Sequence, residues 1–188
     1  MYQFCVSGAA KGDSVEEGKQ LAIEAGAAIA KAGHSLMTGA TTGLPNFAAI
    51  GYKKAGGKMS LGISPGATKV EHVIKYRLPT ESYDTILYTG LHYTGRDALL
   101  ITSSDAVVSI GGRLGTLHEF TIAMETRTPI GFLQGAGGVS EEISKLMEIL
   151  PNTHKELAIF DTDADSLVKK LTALLDEINK PYRKVYTG

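Results

Sequence analysis

The chain has 188 residues, 43% of them hydrophobic and 21% charged, with a formal net charge of -1. That length and balance predict one soluble domain burying roughly 70% of its unfolded surface, and exclude a disordered tail or a small disulfide-stapled scaffold. So small a net charge exerts no general pull on nucleic acid or an anionic membrane, so any anion needs a local arrangement to hold it.

Residues 3–7 read as a first strand that stops at Gly8. Ser14 and Glu17 have capping-box spacing and open an alanine-rich helix that ends at Gly33. Residues 34–38 form a second strand. Pro45 suits the first turn of a helix running to Ala55, and Gly56 and Gly57 close it before a third strand at 58–63. From 64 to about 82 the pattern is irregular and predicts a long loop with room for one short strand. A fourth strand at 85–88 and a helix at 95–104 lead to the clearest strand in the chain, 105–110. Residues 116–127 are helical, and 129–133 are a sixth strand. Ser140, Glu141 and Glu142 open another helix, and the last strand and helix fall at 157–160 and 165–179. The tail from Pro181, with Arg183 and Lys184, is expected to be loosely held.

Strand alternating with helix predicts an α/β fold, a doubly wound parallel sheet of about seven strands with helices on both faces. The strands are continuous apolar runs, as required when both faces are covered. No linker or repeat divides the chain, so one domain is expected over 1–188. Ligands in such sheets bind beyond the carboxyl ends of the strands. Three glycine-bearing loops fall there, at residues 8–12, 39–43 and 111–115.

The third loop, Gly111-Gly112-Arg113-Leu114-Gly115-Thr116, joins the clearest strand to a helix. Unpaired N–H groups and a partial positive charge at a helix start suit an anion, and glycines admit it close to the backbone. A tight turn with Thr116 as cap fits the same residues. The second loop, with Gly39, Thr41, Thr42 and Gly43, adds two hydroxyls and backbone donors, and Gly8 ends the first strand.

Familiar phosphate and catalytic motifs are missing. The Gly8 loop is not G-x-G-x-x-G and no acid ends the second strand, which argues against an ordinary NAD dehydrogenase. Gly56-Gly57-Lys58 runs from helix to strand, the reverse of a P-loop. No G-x-S-x-G elbow is present, and His118-Glu119 lacks a second histidine at Ile122. The five histidines are scattered and Cys5 reads as a small core residue, so no metal site is expected. No window holds the ~20 apolar residues of a membrane helix. The N-terminus lacks a signal peptide's basic flank and apolar stretch. A cytoplasmic location is expected, with neither nucleic-acid nor membrane partner.

Glu119 lies one turn beyond Thr116 at capping-box spacing, yet a carboxylate beside an anion site is costly unless it has a task. It suits ribose hydroxyls or positive charge at a sugar carbon. Arg96 opens its predicted helix, against the helix dipole, and taken alone reads as a solvated surface arginine.

Taken together, Arg96, Asp105-Ala106 and Gly111-Gly112-Arg113-Leu114-Gly115-Thr116 through Glu119 resemble the LOG family. LOG proteins were long labelled lysine decarboxylase-like, and their signature is P-G-G-x-G-T-x-x-E preceded by an arginine. The loop Thr38-Gly39-Ala40-Thr41-Thr42-Gly43-Leu44 matches an earlier family loop. Gly111 and Arg113 replace the signature's proline and second glycine, Asp97 replaces a lysine, and Pro45-Asn46 replaces Met-Gly, marking a divergent member. The resemblance implies a Rossmann-like homodimer or higher homo-oligomer that binds a nucleoside 5′-monophosphate or related phosphorylated ligand and requires no cofactor. It also implies N-glycosidic hydrolysis with Arg96 and Glu119 as catalytic residues. Other relatives resemble carriers of molybdenum cofactor, a phosphorylated pterin, which implies the alternative of a non-catalytic carrier or sensor. No lysine sits in a recognisable pyridoxal phosphate setting, so the decarboxylase label is rejected.

Overall fold

Short apolar runs bounded by glycine favour strands buried on both faces, and seven of them form one sheet in the computed structural model, which describes residues 1–150, 154–182 and 185. The strands are β1 (Gln3–Gly8), β2 (Ser35–Thr38), β3 (Ser60–Ser64), β4 (Thr85–Tyr88), β5 (Ala106–Ile110), β6 (Ile130–Leu133) and β7 (Ala158–Asp161). All neighbours are parallel, in the order β4-β3-β2-β1-β5-β6-β7. The chain works outward in one direction from β1 and then in the other from β5. Their carboxyl ends lie side by side, with Gly8 opposite Ile110.

Helices α1 (Asp13–Lys31) and α2 (Leu44–Lys54) cover one face together with the last helix. That face is built from small residues. Ala22, Ala25, Ala48 and Ala49 are fully buried, and a Cβ at Gly26 would overlap the Ala48 carbonyl. The two helices therefore touch backbone to backbone, which explains the alanine and glycine content of this stretch. Helices α3 (His92–Thr102), α4 (Leu114–Thr126) and α5 (Val139–Ile149) cover the other face, and α6 (Ala164–Asn179) completes the first. Aromatic and aliphatic bulk fills this second layer, where Phe132 stacks on Phe160 with centroids 5.0 Å apart and meets Phe120 edge-on at 5.9 Å. Cys5 is buried in it, and burial pushes its thiol up.

Strand positions agree with the sequence reading to within a residue or two, but several helix starts do not. Helix α1 is capped by Gly12 with no side-chain bond, so Ser14 sits inside the first turn and makes no capping box with Glu17. Helix α4 begins at Leu114 with Arg113 at the cap, which removes the capping role from Thr116. Helix α3 begins at His92, whose φ of 56° turns the chain into it, so Arg96 lies a full turn inside. The irregular stretch holds no strand but a single π-helical turn, Glu71–Lys75. Arg183 and Lys184, expected in a loose tail, lie outside the described residues. Among those residues no helix is long and apolar enough to cross a membrane.

Candidate functional site

The point where the sheet changes direction is where a parallel α/β fold leaves room above its strand ends. A cavity of about 210 Å³ lies there, lined by Ser7, Gly8, Gly39 and Thr41 on one side. Arg96, Arg113, Gly115, Thr116 and Glu119 line the other. The first backbone bond of α4 runs from the Leu117 N–H to the Arg113 carbonyl at 3.0 Å. The amides of Leu114, Gly115 and Thr116 therefore precede any intrahelical bond, and no side chain caps them. Partial positive charge accumulates at such an end.

The turn into α4 is held from behind. Gly112 has φ 97°, and a Cβ there would overlap the Thr116 side chain. The Gly111 carbonyl accepts from the Ser140 N–H at 3.2 Å and hydroxyl at 2.6 Å, and the Gly112 carbonyl from the Val139 N–H at 3.0 Å. The start of α5 thus braces the loop through its carbonyls, while its cavity side remains donors.

Arg96 is 4% exposed, not the surface arginine that its sequence position suggests. Starting α3 at His92 turns residue 96 inward. Its guanidinium lies against Gly39 so closely that a Cβ there would overlap it. Asp97 Oδ1 lies 3.5 Å from Arg96 Nε, near enough for charge attraction, yet the buried Nε has no hydrogen-bond acceptor among the described residues. The Tyr93 ring centroid is 5.8 Å from the guanidinium carbon. A buried cation with an unused donor is costly unless an anion joins it.

Glu119 is buried and accepts a hydrogen bond from the Ser7 hydroxyl, not from a helix cap. Burial pushes its carboxyl up to about 7, and the Asp97 charge adds to the effect. The Ser7 bond, Arg96 and His118 oppose it. Near neutral pH this carboxyl can accept or donate a proton. Asp97 is raised by burial and restrained by Arg96 and His118, whose Nδ1 is 3.2 Å from Asp97 Oδ2. His118 thus engages Asp97 and supports the Arg96 side of the cavity.

Of the residues singled out from the sequence, Gly8, Gly39, Thr41, Arg96, Arg113, Gly115, Thr116 and Glu119 line this cavity. Thr42 does not; its hydroxyl donates to the Ala10 carbonyl at 3.2 Å. Gly43 caps α2, Leu114 is 80% exposed, and Gly111 and Gly112 shape the turn without lining the space. Ser7, Tyr93 and Asp97 also line it; of these the sequence marks only Asp97, as a departure from the LOG signature and not as a site residue. Ser7 precedes Gly8 at a strand end and Asp97 follows Arg96, adjacencies that are visible in the sequence but carry no role by themselves.

A parallel α/β chain with a polar crevice at its turning point is the class that the geometry defines. Residues 1–167 match the SLOG cluster4 family, and the chain belongs to that family, as a divergent LOG-like member. It is 32% identical over 125 residues to an uncharacterized protein of Archaeoglobus fulgidus, a match spanning 66% of this chain and 75% of that one. It is similar to the molybdenum cofactor carrier protein of Chlamydomonas reinhardtii, with 27% identity, 92% and 98% of the two chains covered and a TM-score of 0.73. The fold also matches the molybdenum cofactor binding protein of Rippkaea orientalis at 24% identity over 93% and 97% of the chains, with a TM-score of 0.72.

Proposed function

We propose that this protein binds a nucleoside 5′-monophosphate or a related phosphorylated ligand at the β1–β5 crevice. The observation that carries the reading is the buried Arg96 guanidinium with an unused donor, beside the uncapped start of α4. Phosphate oxygens offset the buried cation and satisfy the helix start, taking a forked pair of bonds from the end of the guanidinium and further bonds from the Gly115 and Thr116 amides. Glu119, on the same helix, then faces the sugar.

In the catalytic form of this reading the protein hydrolyses the N-glycosidic bond. Water adds to ribose C1′, the bond to the base breaks, and the base departs with a proton, leaving ribose 5-phosphate. Ionised Glu119 stabilises the positive charge that develops on the sugar and takes the proton of the attacking water, then releases it to solvent, while the departing base takes up its proton from solvent. A carboxyl that titrates near 7 suits such proton traffic. The second reading, a carrier or sensor without turnover, is favoured by the similarity to the Chlamydomonas carrier over 92% of the chain.

The test is to incubate the protein with AMP, GMP, CMP and UMP, and follow free base by chromatography and binding by calorimetry. Hydrolysis predicts free base, with Glu119→Gln lowering turnover at least a hundredfold while nucleotide still binds. A carrier predicts saturable binding and a raised melting temperature without free base. Arg96→Ala abolishes binding in both readings. If no phosphorylated ligand binds the wild type, the assignment fails.

A further inference from the structure

We infer that the ligand carries a second phosphoryl group, seated in a basic annex beside the crevice and separate from the Arg96 site. The inference rests on the phosphorylated-ligand reading above and narrows its chemistry.

The crevice alone, at about 210 Å³, falls below the roughly 300 Å³ at which small-molecule sites begin. A second cavity of about 490 Å³ adjoins it, and Ala10, Thr41 and Tyr93 line both. A ligand held at Arg96 that outgrows the crevice has this space to extend into. The two spaces differ in charge. In the crevice Arg96 and Arg113 are offset by Asp97 and Glu119. The annex is lined by Lys11, Lys75 and Arg77, with no carboxylate among its lining residues. Lys75 pairs with Glu71 at 3.7 Å in a half-exposed contact that water screens. Another Glu71 oxygen accepts the Ala67 N–H at 2.9 Å. Lys75 can therefore exchange this partner for a better anion at little cost.

The backbone that presents Lys75 and Arg77 is unusual and firmly held. Lys75 ends the π-helical turn, a rare form frequently found at functional sites. Arg77 has φ 55°, a left-handed conformation that is costly for a side-chain-bearing residue and persists only where its surroundings impose it. Those surroundings are visible. The Leu78 N–H donates to the His72 carbonyl at 3.1 Å. The His72 ring is buried between the Ser64 hydroxyl at 2.8 Å and the Pro79 carbonyl at 2.9 Å. Tyr76 bonds His92 at 2.8 Å and packs edge-on against Tyr93 at 5.6 Å, which fixes the annex wall to the helix carrying Arg96. Three exposed cations lining one cavity, Lys11 from the loop after β1 and Lys75 and Arg77 from the 71–77 stretch, with no acid among its lining residues and next to a phosphate-type crevice, suit a second phosphoryl group.

The experiment compares AMP, ADP and adenosine 3′,5′-bisphosphate, and the three guanine counterparts, by calorimetry at low salt. The proteins are the wild type and a Lys11→Gln, Lys75→Gln, Arg77→Gln triple variant, with thermal melting confirming that the variant folds. The wild type is expected to bind at least one doubly phosphorylated form tenfold or more tightly than the matching monophosphate. The diphosphate and the 3′,5′-bisphosphate tell whether the second group follows the first directly or sits across the sugar. In the triple variant that ratio falls toward one, and in the wild type it shrinks as salt rises. A monophosphate that binds with no gain from a second phosphoryl group overturns this inference alone, as does a gain that survives in the triple variant. Failure of every nucleotide to bind overturns the crevice reading and this extension together.

Discussion

The loop at residues 39–43 and the loop at 111–116 have similar glycine-rich compositions, and each leads from a strand into a helix at the same crevice. They serve the site in different ways. The later loop offers its own backbone, with carbonyls tied behind by Val139 and Ser140 and the amides of Gly115 and Thr116 left forward. The earlier loop offers a flat bed, since Gly39 lacks the side chain that would overlap the Arg96 guanidinium. Its Thr42 hydroxyl turns to the Ala10 carbonyl, while Thr41 lines the crevice. Glycine content alone therefore does not distinguish a loop that binds an anion from one that makes room for the residue that does.

The largest expected effect breaks the earlier loop. In Gly39→Ala the new methyl evicts the guanidinium, which is the flexible end of a side chain and can swing aside. Stability should change by no more than about 1 kcal/mol. Affinity for a phosphorylated ligand should fall roughly a hundredfold, about 3 kcal/mol, with the bonds that arginine makes. Paired denaturation and calorimetry read the two apart, and a large loss of stability with retained binding would refute this role for Gly39.

A comparable effect is expected at Glu119, which joins the helix of the later loop to β1. Its folded carboxyl keeps its proton up to about 7, whereas the unfolded chain releases it near 4.5. The folded state thus holds the extra proton between these values, and stability declines as pH climbs from about 4.5 to about 7, then levels off. The decline should be on the order of 3 kcal/mol. Glu119→Gln should remove most of it, leaving a smaller slope from Asp97 that begins at lower pH. Urea titrations at pH 5, 6, 7 and 8 measure both slopes.

The smallest effect sharpens the comparison. Gly115 is helical, and a Cβ there would meet nothing within 4 Å. Gly115→Ala should raise stability by about 0.5–1 kcal/mol through helix propensity and a less flexible unfolded chain. It should also weaken phosphate-ligand binding roughly tenfold by placing a methyl at the crevice wall, about 1.4 kcal/mol. Unchanged binding would place the anion away from these amides.

The sheet was legible because each strand is an apolar run between breakers, and parallel pairing follows from the helices between runs. Arg96 and Glu119 were singled out together through the LOG resemblance, and both line one crevice. Their surroundings were not legible. The burial of Arg96 depends on where α3 begins, and a positive φ at His92 leaves no compositional trace. The Thr116–Glu119 spacing imitates a capping box, but Glu119 bonds Ser7, a partner that a local pattern does not reveal. The annex depends on a π-helical turn and a left-handed Arg77 in a stretch whose sequence reads as plain loop.

The Ser7–Glu119 contact joins residues 112 positions apart across the central strand pair. The hydroxyl and the carboxylate meet only after the first strand has docked beside the fifth and the following helix has settled over them. Such distant pairing is slow to form, because the intervening chain must be ordered first. Neither half of the polypeptide carries a workable pocket by itself, so a molecule bound there acts as a clasp on the finished tertiary structure and offers nothing to a partly assembled one.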